Sequence, residues 1–481
     1  MKHKEALIKI LKTLGKILAV YLVYVVVTAI IWPVLMPAPE HVDVEPAFVE
    51  TSEEVALLEY GIEAFGARLD LIDSAEETID VAYYYAKKGK SVDLFHAYML
   101  AAADRGVKVR YLLDGISHGV RGDERDVIYA FNDHPNIEFK LHEPIPSVLL
   151  APWRINNRMH DKLLLVDNKY SVNGGRNISD LYYERTSQDV AYSHDRDIFL
   201  MKTQTEETGI IDQLSAYYGD LFDSEYAVDL DARSFFDWSG EKARLKTAEL
   251  KQVYADHRKE VSERGASTSL ETWTSRTMPI ESGYHVQNEL TRGFKQPYVW
   301  SHLLELSSRA DSHLFIQSPW VIPNSRMREE FRETDFKTSE GLMLTNGMST
   351  NNNPIGQLGT ENRKSLFIDS FLDYYEYQPT ESSLHTKTWV FDKEVSAIGS
   401  YNFDARSTYL STESMVILKS EALAEQLLTE AEESFIEKSR QIHADGSSSN
   451  GEETNGETAS LAQRLPTPLL RPLAWLLEDL I

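Results

Sequence analysis

The chain has 481 residues, with 49 basic and 75 acidic side chains, no cysteine and a formal net charge of −26. Its length allows two or three domains. Its acidity counts against a nucleic-acid partner, which calls for a basic footprint, and the lack of cysteine excludes disulfides and thiolate-held metals.

In chain order, the first predicted element is a membrane-spanning helix. Residues 17–36 carry no charge, and twenty residues at about 1.5 Å rise cover roughly 30 Å, one hydrocarbon core. Lys2, Lys4, Lys9, Lys12 and Lys16 precede the stretch against a single Glu5, so the N-terminus is expected in the cytoplasm and the rest outside. A cleaved signal peptide is the alternative, but its apolar region runs to only about 7–15 residues. Residues 1–36 are therefore read as a basic segment and anchor, and residues 37–50, rich in Pro, Glu and Val, as a linker.

A first lobe is predicted over 51–232. It opens with a helical pattern (Val55, Leu57, Leu58, Ile62, Phe65, Leu69, Leu71) and continues with a strand over 79–85, a helix over 92–105 and a strand over 107–113. A polar, partly helical connector follows over 233–290. The second lobe, 291–440, repeats the order: a strand over 314–318, a helix near 327–334, a strand over 341–344, a long loop over 346–359 and a helix around 365–375. Such alternation predicts an α/β fold in which each lobe is a mixed sheet flanked by helices. Residues 441–460 form an acidic, low-complexity linker expected to be disordered. The apolar tail, 461–481, is interrupted by Pro466, Pro468 and Pro472 and cannot span as one helix; lying in a membrane interface and docking on the enzyme both fit it.

Each lobe carries the same sparse motif. His160, Lys162, Asp167, Gly174 and Asn177 recur 225 positions later as His385, Lys387, Asp392, Gly399 and Asn402. Five matches at fixed spacing arise by chance on the order of once per few million positions. Each copy reads as strand, turn, strand, with His and Lys on one strand face. A neutral imidazole beside an ammonium, with an Asn amide on a small loop (Gly175 in one copy, Ser400 in the other), suits a phosphoryl group. Two such half-sites facing each other supply one His as nucleophile and one as general acid, for a two-step displacement through phosphohistidine. Two Lys and two Asn supply the electrostatics, so neither metal nor cofactor is expected. Asp167 and Asp392 sit at strand-ending turns, where a structural role competes with a catalytic one. Tyr83, Tyr84, Tyr85 and Trp320 are read first as strand or core residues, and His118 and His194 as solvated.

These residues resemble the phospholipase D superfamily, whose signature H-x-K-x4-D-x6-G-[GS]-x-N occurs in two copies. The stretches Asn157-Arg158-Met159-His160 and Gly399-Ser400-Tyr401-Asn402-Phe403-Asp404-Ala405-Arg406-Ser407 are similar to bacterial cardiolipin synthases of the type C branch, and the likeness runs over roughly residues 50–440. The resemblance implies two phospholipase D-like lobes with one active site at their interface. It also implies an acid after each motif that orients its His: Glu413 in the second lobe, and in the first Asp197, preferred over Asp195. The function implied is a phosphatidyltransferase in the bacterial cell membrane, with its catalytic domain outside and bilayer phospholipids as substrates; an accessory protein stays open. His160 is taken as nucleophile and His385 as acid/base, with phosphatidylglycerol as acceptor giving cardiolipin. Water as acceptor would make a phospholipase D instead. The charge and the anchor disfavour a nuclease, and a non-catalytic scaffold predicts a broken motif that neither copy has.

Overall fold

The structure, a computed structural model, describes residues 2–183, 192–204, 208–229, 238–263, 269–348, 350, 354–379, 381–445, 447–450, 472 and 477–480. Two large sheets repeat one plan. In the first, Thr78–Tyr83 pairs in parallel with Lys108–Asp114, which pairs in parallel with Ile137–His142. On its other side Thr78–Tyr83 runs antiparallel to Lys162–Val166, followed by Tyr170–Gly174, Asp197–Met201 and Glu54–Leu58. The second sheet matches this strand for strand. Leu314–Gln317, Gly341–Asn346 and Leu372–Tyr377 are parallel, and Thr388–Phe391, Val395–Gly399, Ser414–Lys419 and Ser282–Gln287 are antiparallel. The parallel pairs need long crossovers, which helices such as Lys90–Asp104 and Ser325–Glu333 supply. The mixed α/β architecture in two like lobes is as expected.

Four local expectations differ. Residues 54–58 form a strand rather than the start of a helix: Val55 to Leu58 are all buried, and an apolar run covered on both faces suits a strand inside a sheet. The helix expected near 365–375 stops at Ile368, and Leu372–Tyr377 is a parallel strand, whose aromatic content favours that state. Residues 282–287, placed in the connector, belong to the second sheet. Part of the expected disordered linker is ordered: Ser439–Ile442 and Ser448–Asn450 pair as a hairpin on the edge of that sheet. The rest of that linker, 451–460, and most of the tail lie outside the described residues.

The lobes are not separable bodies. One apolar cluster contains Val55, Leu163, Ile198 and Leu214 of the first lobe with Phe315, Val390, Val416 and Leu427 of the second. The linker runs along the second lobe before entering the first: Val49–Glu50 pairs with Gly283 and Ser282, and the Val42 N–H donates to the Ser301 hydroxyl at 3.0 Å. The N-terminal helix, Lys2–Val26, continues through a π-helical turn, Val27–Ile31, into Trp32–Leu35. It is the one helix among the described residues long and apolar enough to cross a membrane.

Candidate active site

Each motif histidine stands at the end of a short strand pairing between lobes. Arg158–Met159 lies parallel to Ser411–Thr412, and the next N–H, from His160, donates to the Thr412 carbonyl at 3.3 Å. In the second copy Ser382–Leu384 lies parallel to Tyr192–His194, and the His385 N–H donates to the His194 carbonyl at 2.7 Å. One residue further on, each partner strand delivers a carboxylate. Glu413 Oε1 lies 2.9 Å from His160 Nδ1, and Asp195 Oδ2 lies 2.6 Å from His385 Nδ1. The acids are thus exchanged between lobes.

This geometry departs from the expectation for Asp197. Asp197 is buried and takes Arg68 at 2.9 Å and Arg176 at 3.1 Å. The parallel register sets His385 against Asp195, so the residue two positions earlier makes the contact. Glu413 meets a histidine as expected, but the one from the other lobe.

The motif lysines lie where the motif places them, beside the histidines. Lys162 opens its strand and Lys387 directly precedes Thr388–Phe391. Both are buried, with the ammonium groups donating to the carbonyls of His160 and His385. Burial lowers Lys162 to about 7 and Lys387 to about 8, because desolvation disfavours the charged form. His385 is lowered to about 4 by burial and by Lys387, and His160 is also pushed down, by burial and by Lys162. The two acids differ. Against burial, Lys387 and His385 hold Asp195 down at about 2, and the Arg196 N–H adds a hydrogen bond at 2.9 Å. For Glu413 burial prevails and raises it to about 8, against the pull of Lys162 and the hydroxyls of Ser400 and Ser407.

His160, His385, Asn177 and Asn402 line one cavity of about 520 Å³ between the lobes. Both Asn amides are buried, and their Oδ1 atoms have no partner among the described residues; such an amide can offer N–H or C=O to a ligand. Gly175 and Ser400, expected to bind phosphate, face the acids instead. A Cβ on Gly175 would come within 2.1 Å of Asp195 Oδ1. The small residue at this motif position therefore makes room for the acid.

Asp167 and Asp392, carried as catalytic candidates, are corrected to turn residues. Asp167 accepts the N–H groups of Glu76, Glu77 and Thr78 at 2.8–2.9 Å. Asp392 accepts those of Asp311, Ser312 and His313 at 3.0, 2.6 and 3.2 Å. Each starts a hairpin turn with two successive positive-φ residues, Asp167-Asn168 and Asp392-Lys393, the geometry that suits a twisted hairpin.

Several cavity residues were not given roles from sequence. Arg158 and Arg406 line the cavity; Arg158 is paired with buried Asp114 at 3.1 Å. Both fall in stretches quoted for the resemblance, which was the available signal. Tyr84, Tyr85 and Trp320 line the cavity, whereas Tyr83 is core. His118 is buried rather than solvated. From the C-terminal tail, Leu480 reaches the cavity wall, held by Arg328 on Glu478 at 3.1 Å, by Asn324 on Asp479 at 2.8 Å and by Arg406 on the Leu480 carbonyl at 2.8 Å. These described tail residues dock on the second lobe. Arg158, the half-buried Arg406 and two acid-backed imidazoles line one space, with the two motif lysines buried behind the histidines, an arrangement that suits displacement at a phosphodiester.

Comparison with known proteins shows the family. The family profile described as "Cardiolipin synthase, PLD-like domain" matches residues 69–205 and 303–435. The chain is 27% identical over 398 residues to cardiolipin synthase C of Escherichia coli K12, covering 76% of this chain and 82% of that protein. It is 25% identical over 364 residues to a cardiolipin synthase of Clostridium perfringens strain 13, covering 76% and 66%. Among solved structures, a phosphatidylserine synthase of Haemophilus influenzae Rd KW20 superposes with a TM-score of 0.63 at 14% identity, over 91% of this chain and 98% of that one; this likeness concerns the fold.

Proposed function

The chain belongs to the cardiolipin synthase, phospholipase D-like family, and from that premise we propose that it makes cardiolipin from phosphatidylglycerol through a phosphohistidine. It is a phosphatidyltransferase. The observation that carries the finer reading is the pair of imidazoles from different lobes, each backed by a buried acid and both facing one cationic cavity.

One imidazole attacks the phosphorus of a phospholipid donor, and the bond from phosphorus to the headgroup oxygen breaks. The other protonates the departing alkoxide, then takes the proton of the incoming hydroxyl, which attacks phosphorus and releases the first imidazole. Lys162, Lys387, Asn177 and Asn402 stabilise the non-bridging oxygens. Asp195, the more firmly held carboxylate, competes with the Lys387 ammonium, 2.7 Å away, for His385 Nδ1; with the proton on Nδ1 facing Asp195, the Nε2 lone pair is the one that can reach phosphorus, with Lys387 Nζ 3.4 Å from it. Glu413, pushed up by burial, holds a proton beside His160 Nδ1, so as His160 passes its Nε2 proton to the leaving alkoxide it can take the Glu413 proton at Nδ1. This supports His385 as nucleophile, the reverse of the sequence-based assignment. Rapid quenching tests the order: His160→Asn should accumulate phosphatidyl-enzyme and His385→Asn should not, and the opposite pattern restores the original order.

The N-terminal helix supports an anchored enzyme in a bacterial cell membrane, its body outside. The product assay is lipid analysis of vesicles holding the full chain and phosphatidylglycerol. Cardiolipin that disappears in the His385→Asn variant is expected. Phosphatidic acid alone would make the enzyme a phospholipase D, the reading in which water is the acceptor.

A further inference from the structure

The segment just before the first motif is apolar, exposed and packed on the N-terminal helix. It comprises a short helix, Ile145–Leu149, and a 3-10 turn, Pro152–Asn156. Ile145, Leu149, Leu150, Trp153 and Ile155 are all exposed, Leu150 to 85%. Five large apolar side chains within eleven residues make a patch rather than scattered exposure, and such patches mark interaction surfaces.

Hydrogen bonds to the anchor identify the partner. Tyr21 donates its hydroxyl to the Leu149 carbonyl at 2.7 Å, and Tyr24 to the Leu150 carbonyl at 3.0 Å. These carbonyls belong to the C-terminal end of the short helix, where the last turn lacks intrahelical partners. In water they need no help. In hydrocarbon an unsatisfied carbonyl costs several kcal/mol, and two tyrosines of the spanning helix remove that cost. A third bond, from Asn156 Nδ2 to the Ala29 carbonyl at 2.9 Å, continues the contact along the same helix. Tyr21 to Ala29 covers about 12 Å of helix at the usual rise, all within the charge-free stretch. The one charge in the segment, Arg154, donates back to the Ser147 carbonyl at 3.5 Å. Beside the segment, Trp32, Met36, Trp153, Phe294 and Leu410 line an apolar cavity of about 600 Å³ between anchor and body.

We infer that residues 145–156 are a second membrane-embedded element, inserted into the lipid beside the anchor. The inference rests on the anchored reading of residues 1–36. Its consequence is positional. Arg158 follows the segment after one residue and His160 after three, so its insertion holds the mouth of the cavity at the lipid surface, where both substrates lie.

The chain has no cysteine, so single-cysteine variants of the full protein report single positions. Leu150→Cys, Val23→Cys on the anchor and Lys259→Cys on an exposed helix face would each carry an environment-sensitive fluorophore. The protein would be placed in vesicles of phosphatidylethanolamine and phosphatidylglycerol with nitroxide-labelled acyl chains. Loss of most emission at positions 150 and 23, and none at 259, is expected. Quenching at 23 with a water-like signal at 150 overturns the inference while the anchor stands. No quenching at either overturns both. Lipid exchange by the same labelled proteins reports separately on the proposed reaction. As a second measure, Leu150→Asp should lower exchange of long-chain lipid in vesicles on the order of tenfold. Exchange of dissolved short-chain phosphatidylglycerol should be unchanged; equal loss on both substrates overturns the inference.

Discussion

Two aspartates two residues apart do different work at the residue scale. Asp195 holds the Nδ1 of His385, whereas Asp197 neutralises Arg68 and Arg176 in the interior. Asp195→Asn should cut kcat by about 10³–10⁴, as loss of a histidine-orienting carboxylate does elsewhere, with Tm little changed. Asp197→Asn should instead lower stability by roughly 3–5 kcal/mol, because two arginines are left buried without their partner. Steady-state kinetics beside thermal unfolding separates the two; matching losses in both variants would refute the division. The lysines give a pH dependence. Burial lowers Lys162 to about 7 and Lys387 to about 8, so each ammonium loses its proton at lower pH than usual. The activity they support is present below those values and falls as pH rises through them. The kcat/KM profile should therefore decline between about pH 7 and 8, whereas a plateau continuing well above pH 8 would contradict lysines that lose their protons in that range and are needed charged at the phosphate.

At the scale of elements, the duplicated strand–turn–strand explains the spacing of the motif. Lys to Asp measures one strand, and the Asp closes its hairpin while tying down the start of the neighbouring central strand. Asp392→Ala should lower stability by about 1–3 kcal/mol, since three backbone N–H groups lose their acceptor. Turnover per folded molecule should stay near that of the parent, and a specific loss of kcat in fully folded protein would return Asp392 to the chemistry. The next small motif residue behaves oppositely. Gly175→Ala places a carbon against Asp195 and should reproduce the kinetic defect of Asp195→Asn with a smaller loss of Tm. An unchanged kcat would show that the acid can shift without consequence.

For the whole molecule, the lobes share an apolar cluster, exchange their acids and pair strands on both sides of the cavity. The body should therefore unfold in one calorimetric transition, with van't Hoff and calorimetric enthalpies in agreement. Two resolved transitions would indicate lobes that fold apart, and would place the site on a mobile interface. The sequence by itself determined the duplicated motif, the alternation that makes an α/β plan and the apolar N-terminal helix, because each copy, strand, helix or span is written within a window of some twenty residues. Only the tertiary structure decided which acid serves which histidine, that Asp167 and Asp392 stay out of the cavity, and that residues 145–156 lie against the N-terminal helix. Those contacts join positions more than a hundred residues apart or a neighbouring strand in the sheet. Strand register and packing set them, and no local spacing encodes either.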